Sequence, residues 1–143
     1  MRLVVDASVA VKWVFPDAAT EPDAGRAVEL LNAVRDNRVE LIQPPHWLAE
    51  VAAVVSRLRP AIANRAIDLL DALELAVEAD ANIYKRASRI AAQLDHHLFD
   101  TLYHALAIEC DAVLVSADDR YVRKAAALGN VMSLRHWVPP PEA

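Results

Sequence analysis

Ala112-Val113-Leu114-Val115-Ser116-Ala117-Asp118 is the stretch on which the fold turns. Four apolar residues in unbroken succession leave no polar side for water, so they read as a strand buried on both faces. Two small residues then lead to an acid. The chain's beginning repeats this form more tightly, with Leu3-Val4-Val5 running straight into Asp6. Val39 to Ile42, Leu75-Ala76-Val77 and Val131-Met132-Ser133 are further strand candidates. Helical patterns separate them. The spacing predicts helices over Ala7 to Phe15 (ended by Pro16), from Pro22-Asp23 onward, and over Trp47 to Leu58. It predicts others from Pro60 with Ile62, Ala66, Leu69, Leu70 and Leu73 inward, over Asn82 to Leu94 and Phe99 to Cys110, and over Asp118 to Leu128, closed by Gly129. Strands alternating with helices predict the α/β class, a parallel sheet covered on both faces. Ligands of such sheets bind beyond the carboxyl ends of the strands. No repeat or linker interrupts the pattern, so residues 1–138 are expected as one domain, with 139–143 a Pro-rich tail.

Composition narrows the function classes. The 143 residues suffice for one domain with a real core, and 55% hydrophobic with 24% charged residues excludes disorder. No apolar run reaches the roughly 18 residues of a membrane span. An acid at position 6 interrupts any export signal, and the lone Cys110 forms no internal disulfide, so a cytoplasmic chain is expected. Only Gly25 and Gly129 are present, which excludes glycine-rich phosphate loops. A net charge of −5 argues against coating nucleic acid by bulk charge. His46, His96, His97, His104 and His136 offer no H-x-x-x-H pair for zinc and are read as surface or capping residues. Of the tryptophans, Trp47 is read as core; Trp13 and Trp137 have packing or base stacking open to them.

Four carboxylates stand out. Asp6 and Asp118 follow strands and project from one rim if those strands are neighbours. Each is equally readable as a helix cap. Glu50 lies three residues after Trp47 and four before Val54, on the apolar face of a helix expected to hold it in mid-span. A carboxylate there needs a partner, and a nearby Arg is the simplest. Asp100 opens a helix, where a cap is expected, yet Tyr103, Leu106 and Ala107 place it at the edge of the inward face. Carboxylates that converge repel each other, and a divalent cation relieves this. Oxygen-only ligands suit Mg²⁺ or Mn²⁺. Such a centre activates water and stabilises charge on a phosphoryl group without a glycine loop.

Asp6-Ala7-Ser8 after an apolar strand, Glu50 on a helix after Pro44-Pro45, Asp100 ahead of Tyr103-x-Ala105-x-Ala107, and Ser116-Ala117-Asp118 after a strand together resemble the PIN domain, at the size of VapC-type toxins. The resemblance covers nearly the whole chain. It implies a three-layer α/β/α sandwich with a short parallel sheet, and metal-dependent cleavage of RNA. It implies that Asp6, Glu50, Asp100 and Asp118 hold one or two Mg²⁺ or Mn²⁺ ions, that Ser8 and Ser116 support them, and that Asp119 is a fifth acid. It further implies a homodimer and a VapB-type antitoxin as partners; the apolar segment Ala61 to Leu75 is a candidate dimer face. Lys12, Arg120, Arg123 and Lys124 near the rim are candidate RNA contacts, or ordinary solvated helix charge. One departure is Ala53, where the toxins often carry Asn three residues after the helical acid. It leaves open a degenerate member that binds RNA or a protein without cutting. A phosphatase of doubly wound fold is a third reading, weakened because no second acid stands two residues after Asp6.

Overall fold

The strand that opens the chain is the central one of its sheet. In the computed structural model, which describes residues 1–15 and 23–141, five strands lie in the order β3-β2-β1-β4-β5. They are β1 (Arg2–Val5), β2 (Glu40–Gln43), β3 (Ala76–Val77), β4 (Val113–Ser116) and β5 (Val131–Ser133), all parallel. Leu3 pairs with Leu41 on one side and Val113 on the other. Parallel neighbours require crossovers, and the helices supply them: α1 (Ala7–Ala10), α2 (Ala24–Arg35), α3 (Trp47–Leu58), α4 (Ala63–Asp71), α5 (Ala81–Leu94), α6 (Leu98–Glu109) and α7 (Asp119–Ala125).

Period-two alternation divides the core into two. Val4, Ile42 and Leu114 point to one face and pack with Trp47, Val51, Leu70, Ile83 and Leu106 of α3 to α6. Leu3, Val5, Leu41 and Val115 point to the other, against Leu30 and Ala33 of α2 and the C-terminal Leu134 and Trp137. The strands therefore carry no polar side, and the molecule is the three-layer α/β/α sandwich expected. From β1 the chain steps outward to β2 and β3 on one side, then crosses back to β4 and β5 on the other. The carboxyl ends of β1 and β4 thus flank the point where the strand order reverses.

Several local expectations need correction. The first helix stops after four residues and tightens into a 3-10 turn over Val11–Trp13. Val9, Val11 and Val14 weaken helix propensity there, and the Trp13 indole is bonded to the Ala27 carbonyl at 2.9 Å. Pro16 and Pro22, read as breaker and opener, lie outside the described residues. Leu69 faces water at 59% exposure, while Ala66 and Leu70 hold the inward face of α4. Pro60 opens a 3-10 turn before that helix.

With so few glycines, left-handed turns fall to other residues. Asn37, Asp95, Asp111 and Asn130 adopt positive φ at or near helix ends, as short polar side chains tolerate. Glu74, at φ 50°, has no such excuse. Glu74→Gly is expected to stabilise the chain by about 1 kcal/mol, relieving an αL penalty larger than the entropy glycine adds to the unfolded state. A thermal melt that moves down would contradict this.

Candidate functional site

Parallel α/β geometry places helix N-termini at the strand ends, and all four acids stand at such termini. Asp6 caps α1, its Oδ2 accepting from the Ser8 amide at 3.1 Å. Asp118 caps α7, its Oδ1 accepting from the Arg120 and Tyr121 amides at 3.1 and 3.3 Å. Glu50 and Asp100 lie in the first turns of α3 and α6, so Glu50 is nearer a helix start than the expected mid-span. The cap reading holds for Asp6 and Asp118, whose side chains accept from the first amides of their helices. The partial positive charge of a helix start favours the anion that the rim collects.

Backbone details hold the rim together. The Gln43 amide, fully buried, bonds both polar groups of Val5: its Oε1 accepts from the Val5 N–H and its Nε2 donates to the Val5 carbonyl, each at 2.9 Å. The Asp6 amide donates to the Val115 carbonyl at 3.0 Å. Ser8 Oγ accepts from the Ala117 amide, tying the β1–α1 turn to the β4–α7 turn, and Ser116 Oγ accepts from the Asp118 amide, both at 3.0 Å. Gln43 carried no signal in the sequence beyond its place at the end of an apolar run.

Asp6, Glu50 and Asp100 feel one another. Burial lifts the Asp6 carboxyl to about 6; its hydrogen bonds with Ser8 pull the other way, and the charges of Asp100 and Glu50 add to the rise. Burial also pushes Glu50 upward, but bonds from His46 and Tyr103 outweigh it and leave the carboxyl below its ordinary value. The Tyr103 hydroxyl donates to Glu50 Oε1 at 2.6 Å. Burial and that carboxylate raise the Tyr103 phenol, so it keeps its proton. The partners of Glu50 are thus His46 and Tyr103 rather than an Arg.

Histidines are the largest omission of the sequence reading. His46 Nε2 lies 3.3 Å from Glu50 Oε1, and His96 Nε2 lies 2.9 Å from Asp100 Oδ2. Each precedes its acid by four residues, one turn of helix. The chain has no H-x-x-x-H pair, but it carries H-x-x-x-E at His46 and Glu50 and H-x-x-x-D at His96 and Asp100. His104, read as surface or capping, is fully buried between the Tyr121 hydroxyl at 2.9 Å and the Gly129 carbonyl at 2.7 Å. Trp47 and Trp137 are both core residues.

Beyond Asp100 a cleft of about 520 Å³ opens, lined by Asp95, His96, His97, Asp118, Arg120, Tyr121 and Lys124. His96 joins it to the acids, since its Nδ1 is 3.2 Å from Lys124 Nζ. Asp118 therefore faces this cleft. Asp119 does not join the other acids: Ser133 Oγ donates to its Oδ1 at 2.7 Å, and Arg135 pairs with its Oδ2. Arg123 is exposed on α7, and Lys12 lies in the turn after α1.

The donor set is carboxylate oxygen throughout, with a charge excess that shows in Asp6. Both properties suit a hard divalent cation such as Mg²⁺ or Mn²⁺. Among the described residues no three His, Cys, Asp or Glu side chains lie together closely enough to hold one ion at once. The hydrogen bonds from His46, Tyr103 and His96 hold two of the acids in their present positions.

Comparison with known proteins supplies the remaining context. The VapC20 toxin of Mycobacterium tuberculosis, a toxin that cleaves the sarcin–ricin loop, superposes with a TM-score of 0.68. The match covers 96% of this chain and 99% of that one, at 18% sequence identity, so the likeness is one of fold. No curated protein matches the sequence significantly. Residues 3–127, which run from within β1 through α7 and include Asp6, Glu50, Asp100 and Asp118, match the PIN domain. By that match the chain belongs to the PIN domain family.

Proposed function

We propose that this chain is an endoribonuclease that hydrolyses RNA phosphodiesters with Mg²⁺ or Mn²⁺, and that it is the toxin of a VapBC-type pair. The observation that carries the reading is the buried Asp6 carboxyl, whose neighbours include the charges of Glu50 and Asp100 from two distant regions of the chain. Asp6, Glu50 and Asp100, with Asp118 at the neighbouring helix start, are the carboxylates that would supply ligands once their side chains turn toward a cation, which when bound activates water and offsets charge on the phosphoryl and leaving oxygens. Tyr103 keeps Glu50 ionised by donating to it. Ser8 and Ser116 lock the two turns that present Asp6 and Asp118. Arg120 and Lys124, lining the cleft beside Asp118, meet the phosphates of the substrate strand and fix its register. Lys12 and Arg123 are further candidates for that contact.

The fold likeness to VapC20 supports RNA as the substrate class. An antitoxin and a second copy of the chain are the partners we propose with it, in the cytoplasm. Leu58 on α3 and Leu69 on α4, both more than half exposed, offer an apolar face to such a copy. No helix among the described residues is long and apolar enough to cross a membrane.

Chelation tests the reading. The purified chain is expected to cut structured RNA, a sarcin–ricin stem-loop among the substrates, in Mn²⁺ or Mg²⁺. EDTA should slow cutting by at least about 100-fold and restored Mn²⁺ should recover it. Cleavage that persists unchanged in EDTA would remove the carboxylate centre from the mechanism.

A further inference from the structure

His46 joins the two acid-bearing helices at one atom. It sits at the N-cap position of α3, one turn ahead of Glu50, with its ring between that helix and the start of α6. Its ring centroid lies 4.8 Å from that of Tyr103 and 5.5 Å from that of Phe99. Its Nε2 faces two acceptors, the Phe99 carbonyl at 2.8 Å and Glu50 Oε1 at 3.3 Å. Two acceptors require a donor, which places a proton on Nε2. Its Nδ1 is buried without a partner among the described residues. The ring therefore draws all its polar contacts from the Nε2 side, and those contacts orient it. Phe99 immediately precedes Asp100. One N–H thus ties the Glu50 carboxylate to the backbone that carries the Asp100 carboxylate, 53 residues apart along the chain for the Phe99 contact.

We propose that His46 is a positioning residue: through its Nε2–H it sets the separation of the Glu50 and Asp100 carboxylates and so the affinity of the centre for a divalent cation. The inference rests on the metal-dependent reading above and goes beyond it by assigning a role to a residue that holds no cation. A group of this kind, bonded to a ligand rather than to the ion, typically changes metal affinity by about 10- to 100-fold when removed.

Mn²⁺ titration calorimetry tests this without recourse to cleavage. His46→Leu, which keeps an apolar side chain and loses the donor, is expected to weaken Mn²⁺ binding by about 10-fold or more. His46→Gln places an amide nitrogen where Nε2 stands and should return affinity to within a few-fold. His46→Asn reaches only the place of Nδ1 and should not. In a Glu50→Gln background, His46→Leu should add no further loss, because the two residues act as one unit. Helicity measured on each variant separates loss of fold from loss of affinity. If His46→Leu fails to fold, the Gln and Asn variants still decide: Gln binding tenfold more tightly than Asn supports the role. Equal affinities for those two, or a folded His46→Leu that titrates like the wild type, overturn it. A wild-type chain without Asp6-dependent Mn²⁺ binding overturns the metal reading and this inference with it. A wild type that binds beside an unaffected His46→Leu overturns this inference alone.

Discussion

Asp6→Asn is expected to abolish cleavage and, at the same time, to stabilise the cation-free chain. The two effects share one cause. Burial, with the charges of Asp100 and Glu50, holds the Asp6 carboxyl at about 6, above the 3.8 of an unperturbed Asp. The folded chain therefore binds a proton more tightly than the unfolded chain does. Between those values the unfolded state carries fewer protons, so stability falls as pH rises and stays reduced above pH 6. The ionised carboxylate costs the fold on the order of 2–3 kcal/mol at pH 8, by the free energy of one pKa unit. Asn removes that charge and can still cap α1 through its amide oxygen. In EDTA at pH 8 the variant should melt roughly 8 °C above the wild type. At pH 4 or below the advantage should vanish. Mn²⁺ should raise the melting temperature of the wild type and leave the variant nearly unmoved, since a cation stabilises only the state that binds it. Activity should fall by about 10³-fold or more, the scale of losing a main electrostatic contributor. A variant no more stable than the wild type at pH 8 would show that Asp6 is not held against its charge. A variant that cuts RNA at the wild-type rate would remove Asp6 from the centre.

Gln43→Leu is expected to produce the largest loss of stability from a single polar side chain in the sheet. The Gln43 amide satisfies the N–H and the carbonyl of Val5, where the backbone of β1 is fully buried and about to enter Asp6. Leucine has nearly the same volume and none of the bonds. Two buried backbone groups would then lack partners, at about 1–3 kcal/mol each. A drop of about 3–4 kcal/mol in unfolding free energy, read from the urea midpoint at unchanged slope, is the expected result. Because Asp6 follows directly, Mn²⁺ affinity should also fall in whatever protein remains folded. A change below about 1 kcal/mol would mean that water or a backbone shift serves Val5 equally well.

The strands were readable because burial on both faces demands a run of apolar residues, and a short run leaves few alternatives. The helix over Trp47–Leu58 was readable from its spacing. The first helix was not: four residues of α-helix and a 3-10 turn are decided by where Trp13 finds its acceptor on α2, a contact between distant segments. The same limit governed the site. Local spacing placed Asp6 and Asp118 after strands and Asp100 at a helix start, but set Glu50 in mid-helix. Which of them share a field depends on strand order. The polar partners of Glu50 show the division most sharply. His46 was available one turn away in the sequence. Tyr103 joins it only because the fold brings the start of α6 to the start of α3.

From its residue order alone this chain establishes its α/β class, its buried strands and the acids that end them, because apolar runs and helix periods are local properties. Three-dimensional packing alone establishes that β1 lies between β2 and β4. It likewise establishes that Asp6 feels the charges of Glu50 and Asp100, and that Asp119 is drawn off to Ser133 and Arg135. Those outcomes rest on Coulomb forces and hydrogen bonds between side chains fourteen or more residues apart, and such distances exist only once the sheet has closed.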